Sequence, residues 1–167
     1  MELYLEATLR LGAAAICGLL IGIDRDTREK PAGMRTLALV SLGAAVATLT
    51  AIHIPGFVMG SDAMSRVLQG VIQGVLAGIG FIGAGTILHL GQHGGHVQGL
   101  TTAATVWVAA ALGITCGLGT WPIVLVALVL VLLILIVARY FERWLISHLV
   151  PEGRSRDGSE KEEREKG

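Results

Sequence analysis

The sequence predicts an all-α, polytopic membrane protein: a bundle of about five transmembrane helices with a glycine-rich third helix. Three observations lead to this prediction. Apolar residues make up 53% of the 167 residues, and the mean hydropathy is +0.67. Charged residues make up only 16%, whereas a soluble domain has about a quarter. No Lys, Arg, Asp or Glu lies between Arg66 and Arg139.

Five segments come close to the roughly 20 apolar residues that a membrane span requires. They are Leu3–Ile23, Met34–Ile54, Val67–Leu90, Val97–Leu118 and Trp121–Trp144. The first begins with the acidic stretch MELYLE, whereas a signal peptide begins with basic residues, so we predict a retained helix. We therefore expect a transmembrane domain over residues 1–149. Residues 150–167 have almost no apolar side chain and are predicted to be a disordered, charged cytoplasmic tail.

Basic residues predict the orientation, because Lys and Arg accumulate in cytoplasmic loops. Arg25, Arg28 and Lys30 lie in the first loop, and Arg139 and Arg143 lie at the far end of the fifth segment. Five spans place these two regions on the same side of the membrane. We therefore expect the N-terminus outside and the C-terminus in the cytoplasm.

The stretch GIGFIGAG, residues 78 to 85, contains the G-x-G-x-x-G pattern of dinucleotide-binding turns at Gly78, Gly80 and Gly83. That motif requires a preceding strand and an acidic residue about 20 positions later. Here the preceding glycines have helical spacing, and position 103 is Ala103. The pattern therefore does not indicate a nucleotide site.

The same glycines favour a membrane interpretation, because small residues spaced four apart let helix backbones approach closely. The glycines of the third segment are Gly70, Gly74, Gly78, Gly80, Gly83 and Gly85. So many glycines also weaken a helix. Two alternatives stay open: close packing against neighbouring helices, or a bent helix whose carbonyls face a solute.

Polar residues within the third and fourth segments also allow two interpretations. Gln69 and Gln73 share one face of the third segment, as Thr101 and Thr105 do on the fourth, beside Thr102. They either form hydrogen bonds between helices or line a path for a small ligand.

Charged residues add two further candidate sites. Glu6 and Arg10 lie four apart in the first segment, and either pairing with Glu6 or snorkelling of Arg10 would lower the cost of an arginine inside the membrane. The role of these residues is either functional or structural. The first loop, DRDTREKPAG, interleaves acids with its basic residues. The orientation of the protein in the membrane explains the basic residues of this loop, but acidic residues contribute little to orientation. A docking surface for a protein or an anionic head group is the alternative interpretation of the loop.

Several classes of function are not supported by the sequence. His89, His93 and His96 are metal ligands by type, but the glycines around them favour a flexible loop, so no metal site is predicted. Cys17 and Cys116 are expected to be small buried hydrophobes. There is no basic patch of the kind that binds nucleic acid. We find neither a nucleophile–base pair nor a metal set, and therefore predict no enzyme and no cofactor.

Three blocks of the sequence are GLLIGIDRDTREKPAGMRTLALVSLGA, GIGFIGAGTIL and VQGLTTAATVWVAAALGITCG. Together they resemble the MgtC/SapB family of bacterial inner-membrane proteins. The resemblance implies a multi-pass protein of the inner membrane with its N-terminus outside. It also implies a link to growth in low magnesium and, in pathogens, to survival inside host cells. Virulence members of the family restrain ATP synthase and contact other membrane proteins, and a transport activity has also been suggested.

The chain departs from the family's pattern at Asp24, where the family usually has Glu. It differs from the virulence-type members at Thr101, where those members tend to have Asn. A short charged tail is expected in place of their C-terminal ACT-type domain. We therefore expect a regulatory or interaction protein linked to magnesium limitation or membrane energetics. The alternative is a transporter or channel for Mg²⁺ or another small solute.

The expected partners are the lipid bilayer, other inner-membrane proteins and further copies of the chain, and not nucleic acid. Mg²⁺ is the ion to consider. The candidate functional residues are those of the motif blocks and the polar positions beside them: Arg10, Asp24, Arg25, Lys30, Pro31, Gly33, Arg35, Thr36, Gln73, Gly78, Gly80, Gly83, Gly85, Thr101, Thr102 and Trp107.

Overall fold

Five helices form the protein, as the sequence predicts. The computed structural model describes residues 1–27, 30–55, 60–91 and 99–149, and no strand occurs among them. The helices are α1 (Glu2–Asp26), α2 (Met34–Ile52), α3 (Asp62–Gly91), α4 (Leu100–Leu118) and α5 (Trp121–Leu149). The first four are long and apolar enough to cross a membrane, and α5 contributes a shorter apolar stretch, Trp121–Val137, within the described residues. The all-α, polytopic prediction is confirmed.

The chain divides into two compact units, Met1–Leu132 and Leu133–Gly167. The first contains α1 to α4 and the first part of α5. The second contains the rest of α5, through Leu149. The predicted cytoplasmic tail, residues 150–167, lies outside the described residues.

Helices α2 and α4 contact each other, and each also contacts both α1 and α3. Gly22, near the end of α1, lies against Met34 at the start of α2, so these two helices are antiparallel. Helices α2 and α4 are parallel, because Gly113 lies against Ser41 and Gly117 lies against Ala45. The α1–α2 turn and the start of α4 therefore share one end of the bundle.

Glycines bring these helices into backbone contact. A Cβ atom on Gly18 of α1 would lie 2.6 Å from the Cα atom of Ala38 in α2. A Cβ atom on Gly113 of α4 would lie 2.8 Å from the carbonyl carbon of Ser41 in α2. Ordinary contact begins at 3.4 Å. Helices in lipid gain little from the hydrophobic effect and depend on such close packing.

The core beside these crossings consists of small side chains. One cluster joins Ala14 and Cys17 of α1, Ala45 of α2, Cys116 of α4 and Val124 of α5. Both cysteines are buried free thiols, which confirms the prediction that they are buried. Small side chains fill this region because the close crossings leave no room for larger ones.

Candidate functional site

Arg25 lies in the last turn of α1, and only 4% of its surface is exposed. Its Nη2 atom donates a hydrogen bond to the hydroxyl of Thr102 in α4 and another, at 3.4 Å, to the carbonyl oxygen of Pro31. Thr102 is itself buried, at 3% exposure. A buried guanidinium is tolerated only when its donors find partners. Arg25 therefore joins α1, the α1–α2 turn and α4 at one end of the bundle.

The α1–α2 turn depends on Asp26 and Gly33. The Asp26 Oδ2 atom accepts a hydrogen bond from the backbone N–H of Met34 at 3.1 Å, which satisfies one of the free donors in the first turn of α2. A Cβ atom on Gly33 would lie 2.6 Å from the Asp26 Cγ atom, so only glycine leaves room for this carboxylate. Ala32 has a φ of 62°, a left-handed conformation that is uncommon for a residue with a side chain. The KPAG motif thus builds a tight, capped turn.

The remaining candidate residues at the Arg25 end of the bundle lie at or near the surface. Lys30, Pro31, Arg35 and Thr36 are exposed, and Asp24 is half-buried. Lys30 donates its backbone N–H to the carbonyl of Arg25 at 3.1 Å, which fixes the course of the turn. Arg28 and Glu29 lie outside the described residues. The buried Arg25 contact therefore holds a turn whose outer face presents cationic side chains.

Arg10 lies at the opposite end of the bundle. Its Nη1 atom donates a hydrogen bond of 2.7 Å to the carbonyl oxygen of Gly117, near the end of α4, and its Nη2 atom pairs with Glu6. The last carbonyls of a helix lack intrahelical partners and carry partial negative charge. A Cβ atom on Gly119, whose φ is 73°, would lie 2.7 Å from the Arg10 guanidinium carbon. The pairing of Arg10 with Glu6, one of the two predicted alternatives, is confirmed, and Arg10 has a clear structural role as the cap of α4.

The close packing predicted for the α3 glycines is wrong within this chain for all but one of them. Among the described residues, a Cβ atom would meet nothing within 4 Å at Gly70, Gly74, Gly78, Gly80 and Gly85. At Gly83 it would lie 3.2 Å from the side chain of Ala103 in α4. Helix α3 is also continuous from Asp62 to Gly91. Local unwinding of α3 is therefore wrong, whereas a bend of the helix stays a prediction.

Two apolar grooves run along the sides of α3. The groove between α3 and α4, of about 510 Å³, contains Gly80, Gly83 and Trp107, and Trp107 is 46% exposed. The groove between α2 and α3, of about 440 Å³, contains Gly78. Gln73 and Thr101 are exposed and line neither groove. The candidates of α3 are therefore divided between the two grooves and the exposed surface.

The threonines of α4 do not form one polar row. Thr102 bonds across to Arg25, whereas the Thr105 hydroxyl donates to the carbonyl of Thr101 in its own helix. The prediction of hydrogen bonds between helices is thus confirmed for Thr102 alone. Among the described residues no group of three potential metal ligands occurs. His93 and His96 lie outside the described residues.

Sequence reasoning missed the residues that hold the bundle together. Gly18 and Gly22 in α1, and Gly113 and Gly117 in α4, have the same four-residue spacing as the α3 glycines. That spacing could have identified them as contact sites. Ser41 was also missed: its hydroxyl is fully buried at the α2–α4 crossing and has no hydrogen-bond partner in the described part of the chain. No sequence signal indicates it.

The helices and their glycine crossings define a multi-pass membrane protein. The family model described as the MgtC family matches residues 11–144, and the chain belongs to this family. It is 41% identical to Protein SrpB of Synechococcus elongatus over 79% of this chain and 74% of that protein. It is 40% identical to Protein MgtC of Salmonella typhimurium over 74% of this chain and 48% of that protein. The chain thus spans about half the length of this MgtC relative. No solved structure matches.

Proposed function

We propose that the protein is a regulatory or interaction protein of the bacterial inner membrane, linked to magnesium limitation or membrane energetics. The observation that carries this proposal is the direct backbone contact between α1 and α2 and between α2 and α4. A Cβ atom on Gly113 or Gly117 would come within 2.8 Å of α2 backbone atoms. A carrier needs space and polar groups between helices at mid-membrane. Backbone contact at these crossings favours a rigid scaffold instead.

The surface that such a scaffold presents is the α1–α2 turn. Buried Arg25 and exposed Asp26 fix the turn through their contacts with Thr102 and the Met34 N–H. Lys30 and Arg35 remain exposed on its outside. Exposed cations on a rigid turn suit recognition of an acidic protein surface by charge complementarity. This arrangement supports a binding role and no catalysis.

The proposed orientation has the N-terminus outside and the α1–α2 turn in the cytoplasm. The structure groups Arg25, Lys30 and Arg35 at one end of the bundle, and Arg10 lies at the other. Lys and Arg near span ends favour the cytoplasmic side. Cysteine labelling from outside intact cells would test this: a Thr36→Cys variant should be protected from an impermeant maleimide, and a Glu2→Cys variant should react.

A flux measurement combined with partner capture tests the binding role. Purified protein in liposomes that contain a Mg²⁺-sensitive dye should show no more Mg²⁺ entry than empty liposomes. In cells, a membrane protein should co-purify with the tagged chain and be lost in the Arg35→Ala variant. Arg66→Ala is the matched control, because Arg66 is also exposed but lies near the start of α3. Protein-dependent Mg²⁺ flux would instead establish the transport alternative.

A further inference from the structure

The groove between α2 and α3 is lined by apolar residues and opens to the outside of the bundle. Leu39 and Gly43 of α2 lie on one wall, and Gly78 and Ile82 of α3 lie on the other. All four are exposed. The groove has a volume of about 440 Å³, within the range of roughly 300–1,000 Å³ that is typical of small-molecule sites. Both helices are long and apolar enough to cross a membrane, so the groove faces the acyl chains of the bilayer.

Arg35 lies on the same face of α2 as this groove. Arg35, Leu39 and Gly43 follow one another at intervals of four residues, and residues at this spacing share one face of a helix. Helical side chains point toward the N-terminus of their helix, so the Arg35 side chain extends from the groove toward the end that carries the α1–α2 turn. Arg35 is exposed, and within the described part of the chain it has no hydrogen bond or ion pair. Its guanidinium is therefore available to a ligand that occupies the groove.

The position of Arg35 along α2 corresponds to the level of lipid head groups. Helix α2 has 19 residues and is therefore about 28 Å long, close to the roughly 30 Å of a bilayer's hydrocarbon core. Arg35 is the second residue of this helix, so it lies at the interface between membrane and water. Leu39 and Gly43 lie about 6 and 12 Å further along the helix, within the hydrocarbon region. The cation and the groove thus match the head group and the acyl chain of a phospholipid.

The groove between α3 and α4 has no such cation on its own helices. It is lined by residues between 79 and 87 of α3 and between 103 and 108 of α4, and no Lys or Arg occurs in the sequence between Arg66 and Arg139. An apolar groove by itself accepts an acyl chain of any lipid. The cation distinguishes the α2–α3 groove and favours a lipid with a negative charge.

We propose that the α2–α3 groove binds an acyl chain of an anionic phospholipid whose phosphate pairs with Arg35, which goes beyond the function proposed above. A guanidinium donates charge-assisted hydrogen bonds to phosphate oxygens, often two at once. Basic sites between transmembrane helices bind anionic head groups in this way. Arg35 also belongs to the turn that is proposed above to bind a protein. Substitutions in the walls of the groove therefore separate the two proposals, because they leave the turn unchanged.

Native mass spectrometry of the full-length protein tests the proposal. The protein is released in mild detergent from vesicles of equal parts phosphatidylglycerol and phosphatidylethanolamine that have the same acyl chains. The wild type should retain one phospholipid per chain and prefer phosphatidylglycerol about fivefold, as expected for one cation near an anionic head group. Arg35→Gln should abolish this preference, because the charge that distinguishes the two head groups is gone. Arg35→Lys, which keeps the charge, should retain most of it.

Gly43→Leu and Gly78→Leu fill the groove from its two walls and should remove the retained phospholipid. Among the described residues nothing lies within 4 Å of either Cβ position, so both variants should fold. Gly12→Leu is the matched control for these, since Gly12 is an exposed glycine of α1 that also has open space at its Cβ position and lines neither groove. Arg66→Gln, at an exposed arginine near the start of α3, is the control for Arg35→Gln. Both controls should bind phospholipid as the wild type does.

Three results would overturn the proposal: equal retention of the two lipids by the wild type, an unchanged preference in Arg35→Gln, or full retention of phospholipid in both groove variants. Loss of a co-purifying protein in Arg35→Ala, without any lipid preference in the wild type, would support the function proposed above and overturn the lipid site. A Gly43→Leu protein that keeps its protein partner but retains no phospholipid would support the lipid site as a separate property of the groove.

Discussion

The α2–α4 crossing gives the sharpest test of the fold, through the substitution Gly113→Ala. The new Cβ atom would lie 2.8 Å from the carbonyl carbon of Ser41 and closer still to its oxygen, whereas ordinary contact begins at 3.4 Å. Both atoms belong to the backbone, so α2 and α4 must separate. Overpacking of this kind typically costs about 1–3 kcal/mol. Alanine is the better helix former by about 1 kcal/mol, so we expect a net loss of up to about 2 kcal/mol.

Stability can be measured by SDS titration of the purified protein in mixed micelles, followed by tryptophan fluorescence. The matched control is Gly12→Ala in α1, where nothing lies within 4 Å of the Cβ position. That variant should be as stable as the wild type or up to about 1 kcal/mol more stable, because only the helix propensity changes. A Gly113→Ala protein at least as stable as Gly12→Ala would refute the close crossing of α2 and α4.

Three further substitutions test individual contacts by the same titration. Thr102→Val removes the hydroxyl that accepts a hydrogen bond from the buried Arg25 guanidinium, and it should lower the free energy of unfolding by about 1.5–3 kcal/mol. Thr102→Ser keeps the hydroxyl and should lower it clearly less. Equal losses in the two variants would contradict the role of the hydroxyl. Ser41→Ala deletes a fully buried hydroxyl without a partner and should be neutral or stabilising by about 1 kcal/mol; a clear loss of stability would reveal a partner for that hydroxyl. Arg10→Met keeps the apolar part of the side chain but loses the hydrogen bond to the Gly117 carbonyl, and it should lower the free energy of unfolding by about 1.5–3 kcal/mol. An unchanged midpoint of the SDS titration would show that α4 does not need this cap.

The sequence predicted the helices well because the bilayer imposes a simple requirement. A span needs about 20 apolar residues whose backbone bonds are satisfied internally, and that requirement is visible in composition alone. The start of α2 at Met34 and the end of α4 at Leu118 agree with the predicted segments. The pair of Glu6 and Arg10 was also predictable, because residues four apart in a helix are neighbours.

The candidate site was only partly predictable. Arg25 was recognised as a residue of the loop motif, but its burial and its bond to Thr102, 77 positions later in the chain, could not be read from local spacing. In the sequence Asp26 is one of several acids in the loop. In the structure its carboxylate caps α2 and occupies the space that a side chain at position 33 would need, which explains the glycine there. Side chains from distant segments meet only after the helices have packed.

For the glycines, residue spacing predicted which helices have a small-residue face, whereas only the folded protein showed which of those faces contact another helix. Residue spacing marked α3 as a helix with a small-residue face, because i, i+4 periodicity is a property of a single helix. The same spacing occurs in α1 and α4. Only the packing showed that α2 covers the glycines of α1 and α4 and leaves those of α3 open. The sequence of one helix defines its own faces. Which face contacts another helix depends on the surface shapes of both helices, and the residue spacing within one helix therefore does not predict it.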